Sequence, residues 1–546
     1  MKKNTYNTLF TICISIALIS CKKILVENPV SLATADGYYS TAKGIEDGLK
    51  AAYSPLRSFY GPEQGFLLTV AGTDLFTKGI GGVTNFSQFN DYSANLLGSD
   101  KMLTIVWDQF YIGINQCNTV VDRTPQVAGL NEQEKARIMG EARFLRAFYY
   151  FHLVQQFGDV HFSLKETIGV QTEAIRTPVN TIYEEGIIPD LQYAIENLSP
   201  SAADYGRASK AAAEALLARV ELTIGNWSEA ERLAKNVINN YDFTLVKPYV
   251  ALWDIANDVN NEIIWSVQYT GDPQTNGSGN MAHLYFNPRY TTNKTIEGTV
   301  EYGRIFARFM PTNNLIKSFN PSIDSRWEGS FRTIWLANKA GKINGKTVNP
   351  GDTAIKMVTY PVSDAIQKSV PYSLYDFNDT WVGEASDLEI GAGKRSFFPG
   401  LLKYADPLRV SFTATDGRKD FPVIRLAEMY LIAAEAAWKQ NRSDDAASFI
   451  NIIRTRAAIS GKEAEMQVTA DDISLDFILD ERARELAGEM NRWYDLKRTG
   501  KLLERVRKYN LDAAPNIQAM HLVRPIPQTQ IDRVSNPKDF PQNPDY

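Results

Sequence analysis

The chain has 546 residues, a net charge of −5 at pH 7 and a sequence pI of about 5.7, so it presents no overall basic field that would attract nucleic acid. Hydrophobic residues make up 44% and charged residues 22%, which is ordinary for a globular protein with a large core. Only one of the three cysteines, Cys117, lies beyond the N-terminal leader, so the fold is expected to rest on packing without an internal disulfide.

The N-terminus has the pattern of a bacterial lipoprotein signal. Lys2 and Lys3 precede an apolar run over 9–20 that is too short to span a bilayer. The run ends in Leu-Ile-Ser followed by Cys21, which resembles a lipobox, and two or more acyl chains hold a protein stably to a membrane. We therefore predict a signal peptide over 1–20 and lipidation of Cys21. The alternative is an ordinary secretory signal in which the cysteine occurs by chance.

Helical periodicity dominates the region that follows, which we delimit as residues 21–244. The segment 141–157 repeats aromatic residues at helical spacing and ends before Gly158. A second helix over 207–223 carries a stripe of alanines, which would let a neighbouring helix approach closely. After a break at 225–227, Ser228 and Glu231 have the spacing of a capping box and predict the start of the next helix.

A similar helical hairpin is predicted in the C-terminal region, residues 421–546. Apolar stripes over 426–437 and 446–453 are separated by a break at 441–443, with Ser443 as the expected cap. Each hairpin is about 34 residues long, the tetratricopeptide length. The fold class is therefore predicted to be mainly α, with a tetratricopeptide-like helical hairpin scaffold that helices over 181–198 and 474–486 complete. Generic helix packing is the alternative.

The region between, residues 245–420, is rich in Gly, Pro, Asn and Thr and has few long periodic stretches. Residues 263–269 alternate in the manner of a strand. We predict an irregular, partly β, loop-rich insert that carries the ligand site, because loops on a rigid scaffold are where binding residues usually lie.

Motifs for catalysis or for binding a cofactor or a metal are not evident in the sequence, so we expect a protein that is not an enzyme. Four scattered histidines lack metal-ligand spacing, and His152 is expected to be packed among aromatic residues. The segment 340–347 fits a relaxed P-loop pattern, but Pro350 and Gly351 follow it, and we interpret it as a turn between strands. The alternating charges over 481–485 are interpreted as a solvated helix face.

Aromatic residues in loops are the remaining candidates for binding. The loop over 72–97 mixes aromatic rings with amides and carboxylates, and the insert supplies further rings. The apolar faces of sugar rings pack on aromatic faces while their hydroxyl groups seek polar partners. The alternative is that these rings close the loops onto the helices. The predicted ligand-binding residues are Phe86, Phe89, Tyr92, Tyr285, Tyr290, Trp327 and Trp335.

Several segments together resemble the RagB/SusD family of outer-membrane nutrient-binding lipoproteins. Residues 480–500 resemble the family pattern ERxxEL…E…RWxDLxRTG, and residues 425–436 and 141–159 resemble two of its other helices. Pro525-Ile526-Pro527, the final Asn-Pro-Asp-Tyr and the Asn-Pro pair after the lipid cysteine fit as well.

The resemblance implies a tetratricopeptide-like scaffold that captures glycans and delivers them to a SusC-like TonB-dependent transporter in the outer membrane. It also implies that Arg484, Glu485, Arg492 and Asp495 form buried or half-buried ion pairs. Two other binding roles stay open, namely capture of peptides and a helical-repeat scaffold that binds only proteins. A carbohydrate-active enzyme is a further class. Lys22 and Lys23 stand where surface-exposed relatives often carry acidic residues, so both the cell surface and a periplasm-facing location stay open.

Overall fold

A computed structural model describes residues 35–377 and 394–546 of the chain. Cys21, the predicted lipidation site, lies outside the described residues. The fold is mainly α, with 49% helix and 9% strand, which confirms the predicted fold class. The helices before residue 245 are α1 Ala35–Tyr39, α2 Ala42–Tyr53, α3 Glu63–Thr69, α4 Ile80–Val83, α5 Ser87–Asp91, α6 Lys101–Arg123, α7 Glu132–Phe157, α8 Val179–Ile182, α9 Ile188–Asn197, α10 Lys210–Ile224 and α11 Trp227–Asn240.

The C-terminal region is also helical, and the region between the two contains short strands. The helices after residue 245 are α12 Pro273–Asn276, α13 Asn313–Lys317, α14 Arg326–Ser330, α15 Asp364–Ser369, α16 Leu426–Lys439, α17 Ser443–Ala457, α18 Leu475–Leu486, α19 Arg492–Arg498, α20 Leu502–Tyr509 and α21 Gln528–Ile531. The strands are β1 Phe76–Lys78, β2 Ile263–Val267, β3 Phe309–Pro311, β4 Phe331–Arg332, β5 Ile334–Leu336, β6 Gly341–Ile343, β7 Lys346–Val348, β8 Thr353–Val358, β9 Ser373–Asp376, β10 Gly400–Leu401 and β11 Phe421–Arg425. The predicted boundaries at 244 and 420 stay predictions.

The two predicted helical hairpins form and pack directly on each other, with α11 against α16. The first hairpin begins where the Ser209 hydroxyl accepts a hydrogen bond from the Ala212 amide at 3.1 Å, and Gly225 directly follows the last residue of α10. Gly225 has φ 85, a left-handed conformation that favours glycine and closes the helix. The fully buried alanines of α10 allow the close packing that the sequence indicated.

The predicted helix caps at these hairpins are wrong in detail. Asn226 precedes α11, and no capping box forms between Ser228 and Glu231. The Glu231 carboxylate instead accepts a hydrogen bond from Gln440 at 2.9 Å and pairs with Arg442, so it joins the two hairpins. Ser443 is the first residue of α17 and does not cap it. A tertiary contact with the neighbouring hairpin outweighs the local capping bond here.

The interpretation of 481–485 as a solvated helix face is also wrong. Glu481 and Glu485 have no exposed side-chain surface, and Arg482 is 3% exposed. Arg425, which ends β11, binds Glu485 at 2.7 Å and Glu489 at 2.7 Å. Alternating charges on a helix can thus form a buried ion network when strands and other helices cover that face of the helix.

The structure confirms the ion pairs that the family resemblance implied. Arg492 pairs with Asp74 at 2.6 Å, and Arg484 pairs with Glu481 at 2.6 Å. Asp495 pairs with Arg482 at 2.7 Å, and Glu485 takes part in the network around Arg425. These contacts join α18 to α19 and join α19 to Asp74 in the segment between α3 and β1, so the signature segment acts as a structural lock.

The strands of the insert form small sheets of two or three strands. β11 pairs antiparallel with β2, with Phe421 opposite Val267, and this confirms the predicted strand. β6 and β7 form a hairpin around Asn344 and Gly345, whose φ values of 52° and 77° are those of a tight turn. The P-loop-like segment is therefore a turn between strands, as predicted.

One continuous hydrophobic core joins the insert to the helices. The Phe66 ring of α3 lies 5.6 Å from Tyr285 and 5.3 Å from Phe286, measured between ring centroids. His152 is 2% exposed, with Nε2 at 3.1 Å from the Tyr60 hydroxyl, which confirms it as a packed histidine. Within residues 35–377 and 394–546, no helix is both long and apolar enough to span a bilayer.

Candidate ligand-binding site

Six of the seven rings predicted to bind ligand are buried in the core. A ring with at most 5% of its surface exposed presents no face on which a sugar could stack. We therefore correct the predicted site by removing them from it. The buried rings are Phe89 at 0%, Tyr92 at 2%, Tyr285 at 1%, Tyr290 at 0%, Trp327 at 5% and Trp335 at 1% exposure.

Packing partners explain why these rings are buried. Tyr290 stacks on Trp335 with ring centroids 6.3 Å apart and donates a hydrogen bond to the Gly303 carbonyl at 2.5 Å. Trp327 lies 5.2 Å from Phe331 between ring centroids. The rings of the insert pack in the main core, and Tyr92 packs with Leu479 and Trp493 of the C-terminal helices. The alternative that the rings close the loops onto the helices therefore accounts for them.

Phe86 is the predicted ring that remains half-buried. It stands between α4 and α5 with φ 56 and ψ 28, a left-handed conformation that costs a bulky L-residue roughly 1–2 kcal/mol. The Lys101 ammonium lies 5.4 Å from the centre of the ring, within the range of a cation–π contact. Strained backbone of this kind tends to occur where a side chain must be placed for function.

The loop that carries Phe86 is held close against the insert. A Cβ atom on Gly81 would lie 1.9 Å from the Phe306 carbonyl oxygen, so only glycine fits there. The Gly81 amide donates to the Ala307 carbonyl at 2.9 Å, and the Gly81 carbonyl accepts from Asn85 Nδ2 at 3.0 Å. Two segments that are distant in sequence therefore meet beside the Phe86 ring.

Polar groups surround the exposed side of Phe86. Arg308 donates from Nε to Glu63 at 2.6 Å and from Nη1 to the Gly81 carbonyl at 2.7 Å. Burial raises the pKa of Glu63, and the adjacent Arg308 opposes that shift. Lys78 pairs with Asp91 at 2.6 Å on the other side. We define the Phe86 surface as the small pocket whose lining includes Glu63, Lys78, Asn85, Phe86, Ser87 and Arg308.

The Phe86 surface combines an aromatic face with the donors and acceptors that a polyhydroxylated ligand needs. A second half-buried ring, Phe306, lies on the other side of Arg308, with the guanidinium 5.4 Å from its centre. Sequence reasoning found Phe86 but missed Glu63 and Arg308, which are 245 residues apart. Neither of these two residues belongs to a local motif, so only the tertiary fold reveals the pair.

The described residues hold no group of three or more His, Cys, Asp and Glu side chains that could bind a metal ion. At the Phe86 surface, both nearby carboxylates, Glu63 and Asp91, are paired with cations. The arrangement can bind and orient a ligand.

Comparison with known proteins gives matches along almost the whole chain. The model described as the SusD family matches residues 261–546, and a model described as starch-binding and associating with the outer membrane matches residues 76–222. SusD-like protein P2 from Formosa agariphila is 28% identical over 575 residues, covering 100% of both chains. Starch-binding protein SusD from Bacteroides thetaiotaomicron is 25% identical over 464 residues, 79% of this chain and 76% of its own.

Solved structures share the fold. A laminarin-binding SusD-like protein aligns with a TM-score of 0.66 and 23% identity, covering 93% of this chain and 100% of its own. Surface glycan-binding protein A from Bacteroides thetaiotaomicron, in complex with laminarihexaose, aligns with a TM-score of 0.68 and 19% identity, covering 92% of this chain and 99% of its own.

The chain therefore has the fold of a tetratricopeptide-like scaffold protein that carries an irregular insert. Because one family model covers more than half of the chain, the chain belongs to the SusD family, as the signature over 480–500 indicated.

Proposed function

We propose that this chain is a lipoprotein attached to the outer membrane. It captures glycans at the Phe86 surface and delivers them, chemically unchanged, to a SusC-like TonB-dependent transporter. The observation that carries the proposal is the half-buried Phe86 ring. Its backbone is held in the left-handed region, and amide, guanidinium and carboxylate groups lie around it.

The energetics of the loop favour a binding role over a packing role for Phe86. Glycine would adopt φ 56 without strain, whereas phenylalanine adopts it at a cost. The half-buried ring gains only part of the free energy that full burial would give. Tyr92 has a similar φ of 49 but is buried, so the feature that favours binding at Phe86 is the strained backbone together with the part of the ring that packing leaves uncovered.

The ligand class is supported by what the relatives' names state. One relative is named a starch-binding protein, one structure is described as laminarin-binding, and another contains laminarihexaose. All three ligands are neutral glucans, whose rings present apolar faces and hydroxyl edges.

The proposed location and partner rest on the lipobox-like sequence at Cys21 and on the family. The family model over 76–222 is described as associating with the outer membrane. A lipid on Cys21 would lie 13 residues (22–34) before the first described helix, Ala35–Tyr39. Delivery to a SusC-like transporter is what the family relationship supports.

The test is titration calorimetry with laminarihexaose and with maltohexaose. Wild-type protein should bind one of the two, and Phe86→Ala should weaken that binding about ten- to hundredfold, which corresponds to about 1–3 kcal/mol. Phe477→Ala is the matched control, because Phe477 is also half-buried and lies 5.7 Å from the Arg484 guanidinium. The control should bind as the wild type does.

Two outcomes would count against the proposal. If Phe86→Ala binds the glucan as tightly as the wild type does, the Phe86 surface is not the site. If neither glucan nor any other polysaccharide binds while a peptide library does, the ligand class is peptide. Melting temperatures of both variants, measured in parallel, show whether lost binding reflects lost folding.

A further inference from the structure

A small cavity lies where both ends of the insert meet the helical region. Its lining includes Tyr205 from the loop before α10, Trp253 and Ser266 from the start of the insert, and Asp258 and Asp420 beside them. The space open to the centre of a water molecule is about 10 Å³, close to the roughly 10–15 Å³ that one water molecule needs. We call it the Trp253 cavity, and none of its described lining residues belongs to the Phe86 surface.

Two strands and the segment before them hold the polar groups of the cavity in place. Ser266 lies on β2, and Asp420 directly precedes β11, which leads into α16. The Asp420 carboxylate accepts a hydrogen bond from the Tyr269 amide at 2.7 Å, and the Asp420 amide donates one to the Asp258 carboxylate at 2.8 Å. The cavity is therefore a fixed part of the joint from which the insert extends.

Three polar atoms at the cavity have no hydrogen-bond partner among the residues that the structure describes. They are the indole nitrogen of Trp253 and the hydroxyl oxygens of Ser266 and Tyr205. Trp253 is 5% exposed and Ser266 is 2% exposed. Buried polar atoms in folded proteins nearly always have a partner, so three neighbouring exceptions around one cavity point to an occupant.

The two hydroxyl groups lie close together without bonding each other. Burial raises the pKa of Tyr205 to about 12, and the nearby Ser266 hydroxyl opposes that rise. No hydrogen bond of normal geometry joins the two oxygens. In contrast, the indole N–H of Trp265, which is 2% exposed, donates directly to the Gly206 carbonyl at 3.0 Å. The sequence thus satisfies one buried indole within the protein and leaves the other directed to an occupant.

Charges at the cavity select a neutral occupant. The Trp253 indole N–H can only donate, so it would oppose a cation. Lys419, which donates from Nζ to the Trp253 carbonyl, already supplies a positive charge that Asp258 attracts. An ionised Asp258 or Asp420 would repel an anion. The occupant must therefore accept a hydrogen bond from an indole and also bond hydroxyl groups, and it must be no larger than one water molecule.

We infer that the Trp253 cavity is a binding site for a single water molecule. The water accepts a hydrogen bond from the Trp253 indole and bonds the hydroxyl groups of Ser266 and Tyr205, since a buried water typically makes about three hydrogen bonds to groups that lack other partners. It connects the helical region, through Tyr205, to the first strand of the insert. The inference does not depend on the function proposed for the Phe86 surface.

The first experiment is a high-resolution crystal structure of the wild-type protein. Electron density for one water is expected within about 2.7–3.2 Å of both Trp253 Nε1 and Ser266 Oγ. Trp265 is the internal control, because its indole N–H already has the Gly206 carbonyl and should have no water beside it. The inference is overturned if the ordered cavity shows no density, or if the density fits a metal ion or an anion.

The second experiment is a double-mutant cycle read by melting temperature. Trp253→Phe removes the N–H, and Ser266→Ala removes the hydroxyl. Each should lower the melting temperature by about 1–2 °C, and the double variant should lose clearly less than the sum, because both single changes break bonds to the same water. Trp253→Phe combined with Thr124→Val is the control and should be additive, since the Thr124 hydroxyl donates directly to the Val120 carbonyl. Additive losses for Trp253 and Ser266 would show that they share no partner and would also overturn the inference. Circular dichroism confirms that each variant is folded.

Discussion

Replacement of Glu485 by glutamine tests whether the signature segment acts as a structural lock. The carboxylate has no exposed surface and accepts hydrogen bonds from Arg425 at 2.7 Å, from Arg326 at 3.1 Å and from Arg456. Glutamine keeps the volume but removes the charge, so three buried guanidinium groups lose a shared partner. Breaking a buried ion pair in this way costs about 3–5 kcal/mol, and we expect that loss in the free energy of unfolding.

The control is Glu229→Gln on α11. Glu229 pairs with Arg232 at 2.7 Å, close to the distances in the network, but the Arg232 side chain is 62% exposed. Exposed pairs contribute roughly 0–1 kcal/mol, so the control should unfold almost as the wild type does. Urea unfolding at pH 7, followed by circular dichroism, gives both free energies. Equal losses in the two variants would refute the claim that burial makes the difference.

The pH dependence of the same variant provides a second check. Burial alone would raise the pKa of Glu485, but Arg456, Arg425 and Arg326 hold it well below the ordinary value. A lowered pKa in the folded state stabilises the protein above the unfolded pKa of about 4.3, and this contribution is lost as the pH falls further. The stability difference between wild type and Glu485→Gln should therefore be constant near pH 7 and shrink below about pH 4. A difference that does not change with pH would contradict the electrostatic explanation.

Three further predictions follow from the proposed function. Fatty-acid label should enter the wild type and be absent from Cys21→Ala, and equal labelling of both would exclude lipidation at that residue. Mild-detergent extraction and affinity purification should recover a large β-barrel transporter in near-stoichiometric amount, whereas recovery of soluble proteins alone would favour the scaffold alternative. Incubation with laminarihexaose or maltohexaose should leave the chain length unchanged, and shorter products that disappear in Glu63→Gln would reveal a catalytic site that we have missed.

Helices were predictable because their signals are local. The aromatic repeat over 141–157 lies within α7, which ends before Gly158 as expected. The alanine stripe of α10 and the apolar stripes of α16 and α17 predicted the two hairpins. The match of several separated segments indicated the family. Side chains at helical spacing must face one side, and this holds whatever the partner helix is.

Contacts between distant segments were not predictable in the same way. Glu231 has the spacing of a cap, but it binds Gln440 and Arg442, which are 209 and 211 residues away. The charges over 481–485 have the pattern of a solvated face, but β11 and α17 bring Arg425 and Arg456 onto that face. The polar half of the Phe86 surface, Glu63 and Arg308, arises from the same kind of long-range contact.

Most of the aromatic rings predicted to bind ligand are buried because of how the insert is built. Its strands have two to six residues and form sheets of at most three strands, which are too small to bury a core by their own alternating side chains. The rings in its loops must therefore supply that core, as Tyr290 and Trp335 do by stacking on each other. A loop position thus does not by itself make a ring available to a ligand. Strained backbone does not by itself mark a site either, because Tyr92 has φ 49 and is buried, whereas the half-buried Phe86 ring keeps part of its face accessible.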